Sequence, residues 1–138
     1  MRILVVEDDF ISRNLMVRFL TPLGTVETGE DGKKGFEAFE KALKKGSPFD
    51  LVTLDIMMPQ MDGHATLLKI RALEKQIGVP QNLRARVVMT TALDDVKNIT
   101  AAFRELCDDY VVKPVRKPVL FEKIAELGFT VPPTPAAG

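Results

Sequence analysis

Short apolar runs alternate with longer amphipathic stretches along the chain. Ile3-Leu4-Val5-Val6 is apolar throughout, as in a strand buried on both faces. Phe10 to Leu20 follows, with Ile11, Leu15 and Phe19 at helical spacing, Arg13 and Arg18 placed for water, and Pro22 and Gly24 closing it. Thr25 to Thr28 reads as a weak second strand. Gly29 to Gly46 then carries a helix with Phe36, Phe39 and Leu43 on one stripe and a lysine-rich end that suits its dipole. Leu51 to Leu54 is a third strand and MPQMDG after it is turn chemistry.

The next helix holds Leu67, Leu68, Ile70, Ala72 and Leu73, with Lys69, Arg71 and Glu74 set to reach water. Val87-Val88-Met89 is a fourth strand. Asp94 then fits the N-cap of a helix carrying Val96, Ile99, Phe103 and Leu106 inward. Tyr110-Val111-Val112 is a fifth strand, and Leu120, Ile124 and Leu127 mark a last helix with Pro118 in its first turn. Strands and helices that alternate this way predict an α/β fold with a parallel sheet covered on both faces, because parallel neighbours need crossovers. The tail TVPPTPAAG has no apolar periodicity, so residues 129–138 are expected to be a disordered end or linker stub.

Composition narrows the function classes. The 138 residues suit one domain, and 46% hydrophobic content supports a real core. Nineteen basic residues balance nineteen acidic ones, so no global positive field favours nucleic acid or an anionic membrane. Cys107 is the single cysteine, which excludes an intrachain disulfide and a Cys-based zinc site. MRILVVEDD is too short and too acidic for a secretory signal, and no stretch approaches a membrane span. The expectation is a soluble protein of the reducing cytoplasm.

Candidate chemistry sits at the strand ends. In an open parallel sheet, ligands bind beyond the carboxyl ends of the strands. Glu7, Asp8 and Asp9 follow the first strand, Asp55 ends the third, Thr90 and Thr91 end the fourth, and Lys113-Pro114 ends the fifth. Carboxylates packed together repel unless a hard cation neutralises them, and an oxygen-only set favours Mg²⁺, with Mn²⁺ as the alternative. A lysine and a hydroxyl opposite such a metal can hold phosphoryl oxygens, which leaves Asp55 as nucleophile for an aspartyl phosphate. Singly, each residue is explained more simply: Asp9 or Thr91 as a cap, Lys113-Pro114 as a turn. Jointly they are not.

The blocks VVEDD (5–9), LDIMMPQMDG (54–63), VVMTTA (87–92) and YVVKP (110–114) resemble the receiver domain of two-component response regulators, over residues 2 to 127. The resemblance implies a flavodoxin-like, doubly wound (βα)5 domain over 1–128 with strand order 2-1-3-4-5. It implies that Asp55 accepts a phosphoryl group from the phosphohistidine of a sensor kinase or phosphotransfer protein. Asp8 would ligate Mg²⁺ directly, Glu7 largely through water, Asp55 as a ligand, and Met57 through its backbone carbonyl. Thr91 and Lys113 would each hold a phosphoryl oxygen, with the bond to Pro114 in the cis form. Thr91 and Tyr110 would form the switch that remodels the face of the fourth helix, fifth strand and fifth helix for a downstream protein target. That face also leaves homodimerisation open.

Two departures from the family pattern stand out. Met57 and Leu93, two positions beyond Asp55 and Thr91, are apolar where relatives tune the access of water, which predicts slow self-hydrolysis. Asp55 and Thr91 are 36 residues apart, several more than usual, whereas Thr91 and Lys113 keep a typical spacing of 22. The surplus lies in EKQIGVPQNLRARV, whose Arg84 and Arg86 make a local basic spot. A solvated loop is the expectation there and a partner-specific contact the alternative. His64 is expected to be a partly buried helix residue near the site, and Cys107 a small core residue.

Rival functions fit less well. A phosphatase with an aspartyl nucleophile needs a second acid where Met57 stands, so the expectation is a signalling switch with self-directed chemistry only. An FMN carrier would not place three acids after the first strand, and a phosphate-independent relative would not keep the full acid, hydroxyl and lysine set.

Overall fold

A computed structural model describes residues 1–58, 61–92, 96, 104 and 106–132. The elements in chain order are β1 (Arg2–Val6), α1 (Phe10–Leu20), β2 (Thr25–Gly29), α2 (Gly32–Lys45), β3 (Leu51–Asp55), α3 (Gly63–Ile77), β4 (Arg86–Thr91), β5 (Asp109–Val112) and α4 (Lys117–Glu126), the last of the helices expected from the sequence. Short 3₁₀ turns lie at Thr21–Leu23 and Gln81–Leu83. The expected helix from Asp94 through Ile99 and Phe103 falls on positions 93–95, 97–103 and 105, outside the described residues. Leu93, Pro59, Gln60 and the tail beyond Pro132 lie outside them as well.

All the strand pairs are parallel, and the order is β2-β1-β3-β4-β5, as the resemblance implied. Side chains on a strand point alternately to its two faces, so each central strand feeds two cores. Leu4 and Val6 of β1, with Val52, Leu54, Val87 and Met89, meet Phe39 of α2 and Leu67 and Ile70 of α3. Ile3 and Val5, with Val88 and Val111, meet Met16 and Leu20 of α1 and Leu120 and Ile124 of α4. Burial on both faces is why these strands are apolar without alternation. β2 is weak in sequence because it is the edge: Thr25, Glu27 and Thr28 are exposed.

The structure differs from the sequence expectations in places. In α1 the predicted stripe holds only at Phe19, which packs against the core: Ile11 is 75% exposed and Leu15 is exposed too, while Met16 and Leu20 are buried. Two apolar stripes one residue apart compete on that helix, and periodicity alone could not choose. The Asp9 cap, whose carboxylate accepts from the Ser12 amide at 2.8 Å, sets the first turn from which the inward stripe follows. In α3, Arg71 and Glu74 are buried rather than wet, whereas Leu68 and Ala72 are exposed. At the C-terminal end, Phe129 and Val131 pack against the core beneath α1 and α4, so its contacts reach past residue 128. Among the described residues, no helix is long and apolar enough to cross a membrane.

Candidate functional site

The carboxyl ends of β1, β3 and β4 bring the candidate residues together. Glu7 continues the ladder past β1, its amide donating to Gly29 O at 3.1 Å, and its side chain is buried. Asp55 is the last residue of β3, paired in register with Thr90, and is also buried. Asp8 is exposed. Glu7, Asp8 and Asp55 each offer a carboxylate oxygen, and these lie within 4.8 Å of one another. Lys113 closes the cluster from β5: its Nζ sits 3.1 Å from Asp55 Oδ2 and 3.2 Å from both carboxylate oxygens of Glu7. The Lys113 amide donates to Thr91 O at 2.7 Å and the Lys113–Pro114 bond is cis.

Backbone packing fixes the nucleophile. Gly63 starts α3 hard against the end of β3, and a Cβ at that position would run into the Asp55 carbonyl. The Gly63 amide donates to Ile56 O at 2.9 Å, and the Met57 amide donates to Asp55 Oδ1 at 3.2 Å. The Met57 side chain itself is 64% exposed. Thr91 is buried, and its hydroxyl donates to Ala92 O at 3.2 Å. Tyr110 is half-buried on the core, with the Arg104 and Lys123 side-chain charges 5.7 and 6.0 Å from its ring centre. His64 is half-buried at the start of α3, and Cys107 is a buried core residue whose thiol is pushed up by burial and by Asp108.

Two contributors escaped the sequence reading. The Met57 amide gives Asp55 a donor that no side-chain pattern reveals. Arg13, expected to point to water, is half-buried, and its Nη1 donates to Glu7 O at 3.0 Å and Asp8 O at 3.3 Å. It pins the acidic turn by its backbone, and its spacing from Glu7 on the first turns of α1 was the only available signal.

Electrostatics favour a cation here. Three carboxylates face one ammonium, and Arg13 is spent on carbonyl oxygens. Burial, followed by the neighbouring Asp55 charge, pushes Glu7 up to about 7, against the counteracting pull of Lys113. Burial would depress Lys113, but Asp55 and Glu7 outweigh it and hold its pKa above the usual lysine value. Excess negative charge on an oxygen-only donor set fits a hard divalent ion. Beside the cluster a cavity of about 370 Å³ opens between α1 and the turn after β5, with Glu7, Thr90 and Lys113 on its polar wall and Leu15, Met16 and Val115 on its apolar one.

Comparison with known proteins gives a consistent picture. The model of the response regulator receiver domain matches residues 3–125. The chain is 36% identical to the chemotaxis protein CheY of Treponema pallidum, over 91% of this chain and 81% of that one. It is 35% identical to the regulatory protein VanRB of Enterococcus faecalis, over 91% of this chain but only 51% of that longer one. Among solved structures, the receiver domain of the Arabidopsis thaliana histidine kinase CKI1, complexed with Mg²⁺ and BeF₃⁻, superposes with a TM-score of 0.70 at 28% identity, covering 90% and 89% of the two chains. The receiver domain of Saccharomyces cerevisiae Ssk1, co-crystallised with the histidine phosphotransfer protein Ypd1, gives 0.75 at 25% identity, covering 93% and 88%.

Proposed function

The chain belongs to the response regulator receiver family of two-component signalling, and from that membership we propose that Asp55 is its phosphoacceptor. An Asp55 oxygen attacks the phosphorus of a phosphohistidine, the phosphorus–nitrogen bond breaks, and the imidazole leaves. The observation that carries this reading is the contact of Lys113 with both Asp55 and Glu7, which joins residues from distant parts of the chain into one charged site. Lys113 and the Met57 amide are placed to meet charge on the transferring group.

Mg²⁺ fits the donor set, and Glu7, Asp8 and Asp55 with the Met57 carbonyl would hold it; the Mg²⁺ complex of the CKI1 receiver supports that choice of ion. Bound there, it would neutralise the carboxylates and the charge developing on the phosphoryl group. The phosphodonor is a sensor kinase or histidine phosphotransfer protein, a reading supported by the Ssk1–Ypd1 complex. The exposed Phe10 and Ile11 of α1 and the cavity beside Leu15 give such a donor an apolar footing next to Asp55.

Thr91 and Tyr110 form the switch. The Thr91 hydroxyl, satisfied by Ala92 O, turns toward the phosphoryl group, and Tyr110 follows into the space released. The remodelled surface around β5 and α4 presents the signal to a downstream protein. With Met57 in place of a second acid, the chemistry stays self-directed and no external substrate is turned over. Its compartment is the cytoplasm, where kinases charge such proteins from ATP.

The test is labelling by acetyl phosphate with and without Mg²⁺, on wild type and Asp55→Ala. We expect Mg²⁺-dependent labelling that disappears in the variant. Labelling that ignores the metal or survives Asp55→Ala would overturn the mechanism.

A further inference from the structure

The surplus residues between α3 and β4 are mostly exposed, as a solvated loop is, but the connection is anchored at its ends. α3 ends on Gly78 in the left-handed conformation (φ 91°), a 3₁₀ turn follows at Gln81–Leu83, and Ala85 is buried. A charged network pins this connection to the amino-terminal edge of the sheet, at the end opposite Asp55. Arg71 Nη1 lies 2.8 Å from Glu74 Oε1 and donates to Ala85 O at 2.8 Å; Arg71 Nη2 lies 3.0 Å from Asp108 Oδ2. Glu74 Oε2 accepts from the Ala85 amide at 2.7 Å.

Against this rigid wall lies a second cavity, of about 350 Å³, lined by Arg71, Glu74, Lys75, Val79, Gln81 and Arg84. Arg71 and Glu74 are more than nine-tenths buried and neutralise each other. Lys75 and Arg84 are left over: neither makes an ion pair with a described residue. The Arg84 Nε is inaccessible to water and has no hydrogen-bond partner among the described residues. Leu83 on this connection is 68% exposed, and Ile77 at the end of α3 is exposed as well.

We propose that this cavity is a second docking site, which takes a carboxylate side chain of an acidic, partly apolar peptide segment from a partner protein. Charge selects the partner: two unneutralised cations stand in a chain whose total charge is zero. The pre-formed wall lowers the ordering cost of binding, and the arginine fork suits a carboxylate. A free inorganic anion would satisfy the cations but leave Val79, Leu83 and Ile77 without contacts, so a peptide is the better match. The site is independent of Asp55 chemistry and adds a partner-selecting contact to the domain.

The test is selection of a displayed random-peptide library on the whole wild-type chain, with counter-selection against Lys75→Glu/Arg84→Glu. Survivors are expected to pair Asp or Glu with Leu, Ile, Val or Phe, to bind Lys75→Gln/Arg84→Gln roughly tenfold more weakly, and to weaken with salt. They should also shift the amide resonances of Val79, Gln81 and Arg84. Neither substituted residue has a partner to lose, so both variants should keep the wild-type circular dichroism. An empty pool, survivors without an acidic excess, undiminished binding to the Gln variant, or shifts confined to other faces would each overturn the proposal.

Discussion

The two ends of the sheet each carry a cluster of buried or half-buried charges, built on opposite principles. At the amino-terminal edge, Arg71 meets Glu74 and Asp108, and the carboxylates left over accept from the Ala85 and Val87 amides at 2.7 Å. The Arg71 Nε donates to Leu106 O at 2.8 Å, and Arg86 reaches Asp108 at 3.4 Å. Within that network of Arg71, Glu74, Asp108 and Arg86 the charges and hydrogen bonds are matched inside the chain, and Lys75 and Arg84 stand beside it unmatched. At the carboxyl edge, three acids share one lysine, and burial, followed by the neighbouring Asp55 charge, holds Glu7 up to about 7. A matched cluster braces the fold. An unmatched one is a site, because only something from outside completes it.

The sharpest way to break this contrast is to remove one charge from each cluster. Arg71→Ala leaves buried Glu74 without a cation and Asp108 with only the longer Arg86 contact, and should cost about 3–5 kcal/mol, read from urea unfolding. A loss under 1 kcal/mol would make the network ornamental.

Glu7→Gln should act the other way. The folded-state pKa of Glu7 lies above its ordinary 4.5, so between pH 4.5 and about 7 the folded chain keeps a proton that the unfolded chain has released. Metal-free stability therefore falls as pH rises through that window and levels off above it. At pH 8 without Mg²⁺, Glu7→Gln should gain about 2 kcal/mol and flatten the profile. The same proton competes with metal, so Mg²⁺ affinity, followed by calorimetry, should climb with pH up to about 7 and then plateau. A wild-type profile that rises with pH across that window would refute the unmatched site.

The smallest effect expected is kinetic. Met57 cannot orient water, so phosphate on Asp55 should persist, and Met57→Asn should shorten its lifetime by roughly tenfold, about 1.4 kcal/mol in barrier. Loss of label from purified protein in seconds in the wild type would sink this reading.

Much of this was legible in the chain. The apolar runs at β1, β3 and β4, the acids and hydroxyl at their ends and the lysine after β5 are local signals, since strands buried on both faces must be apolar and site residues must follow strand ends. The inward face of α1 was not legible, because Ile11–Leu15 and Met16–Leu20 are equally good stripes until a sheet lies beneath one of them. Nor was the brace: Arg71 and Glu74 read as wet residues because their partners, Ala85 and Asp108, are distant in sequence and two of the accepted bonds come from backbone.

Among the described residues, the sequence by itself determined which elements form, in what order, and which chemical groups stand at the strand ends, because strand burial and helix capping depend on near neighbours. Only the tertiary structure decided which charges are matched. Ion pairing depends on distances of 3 to 4 Å between residues such as Glu7 and Lys113, 106 positions apart, and these exist only once the parallel strands are laid side by side.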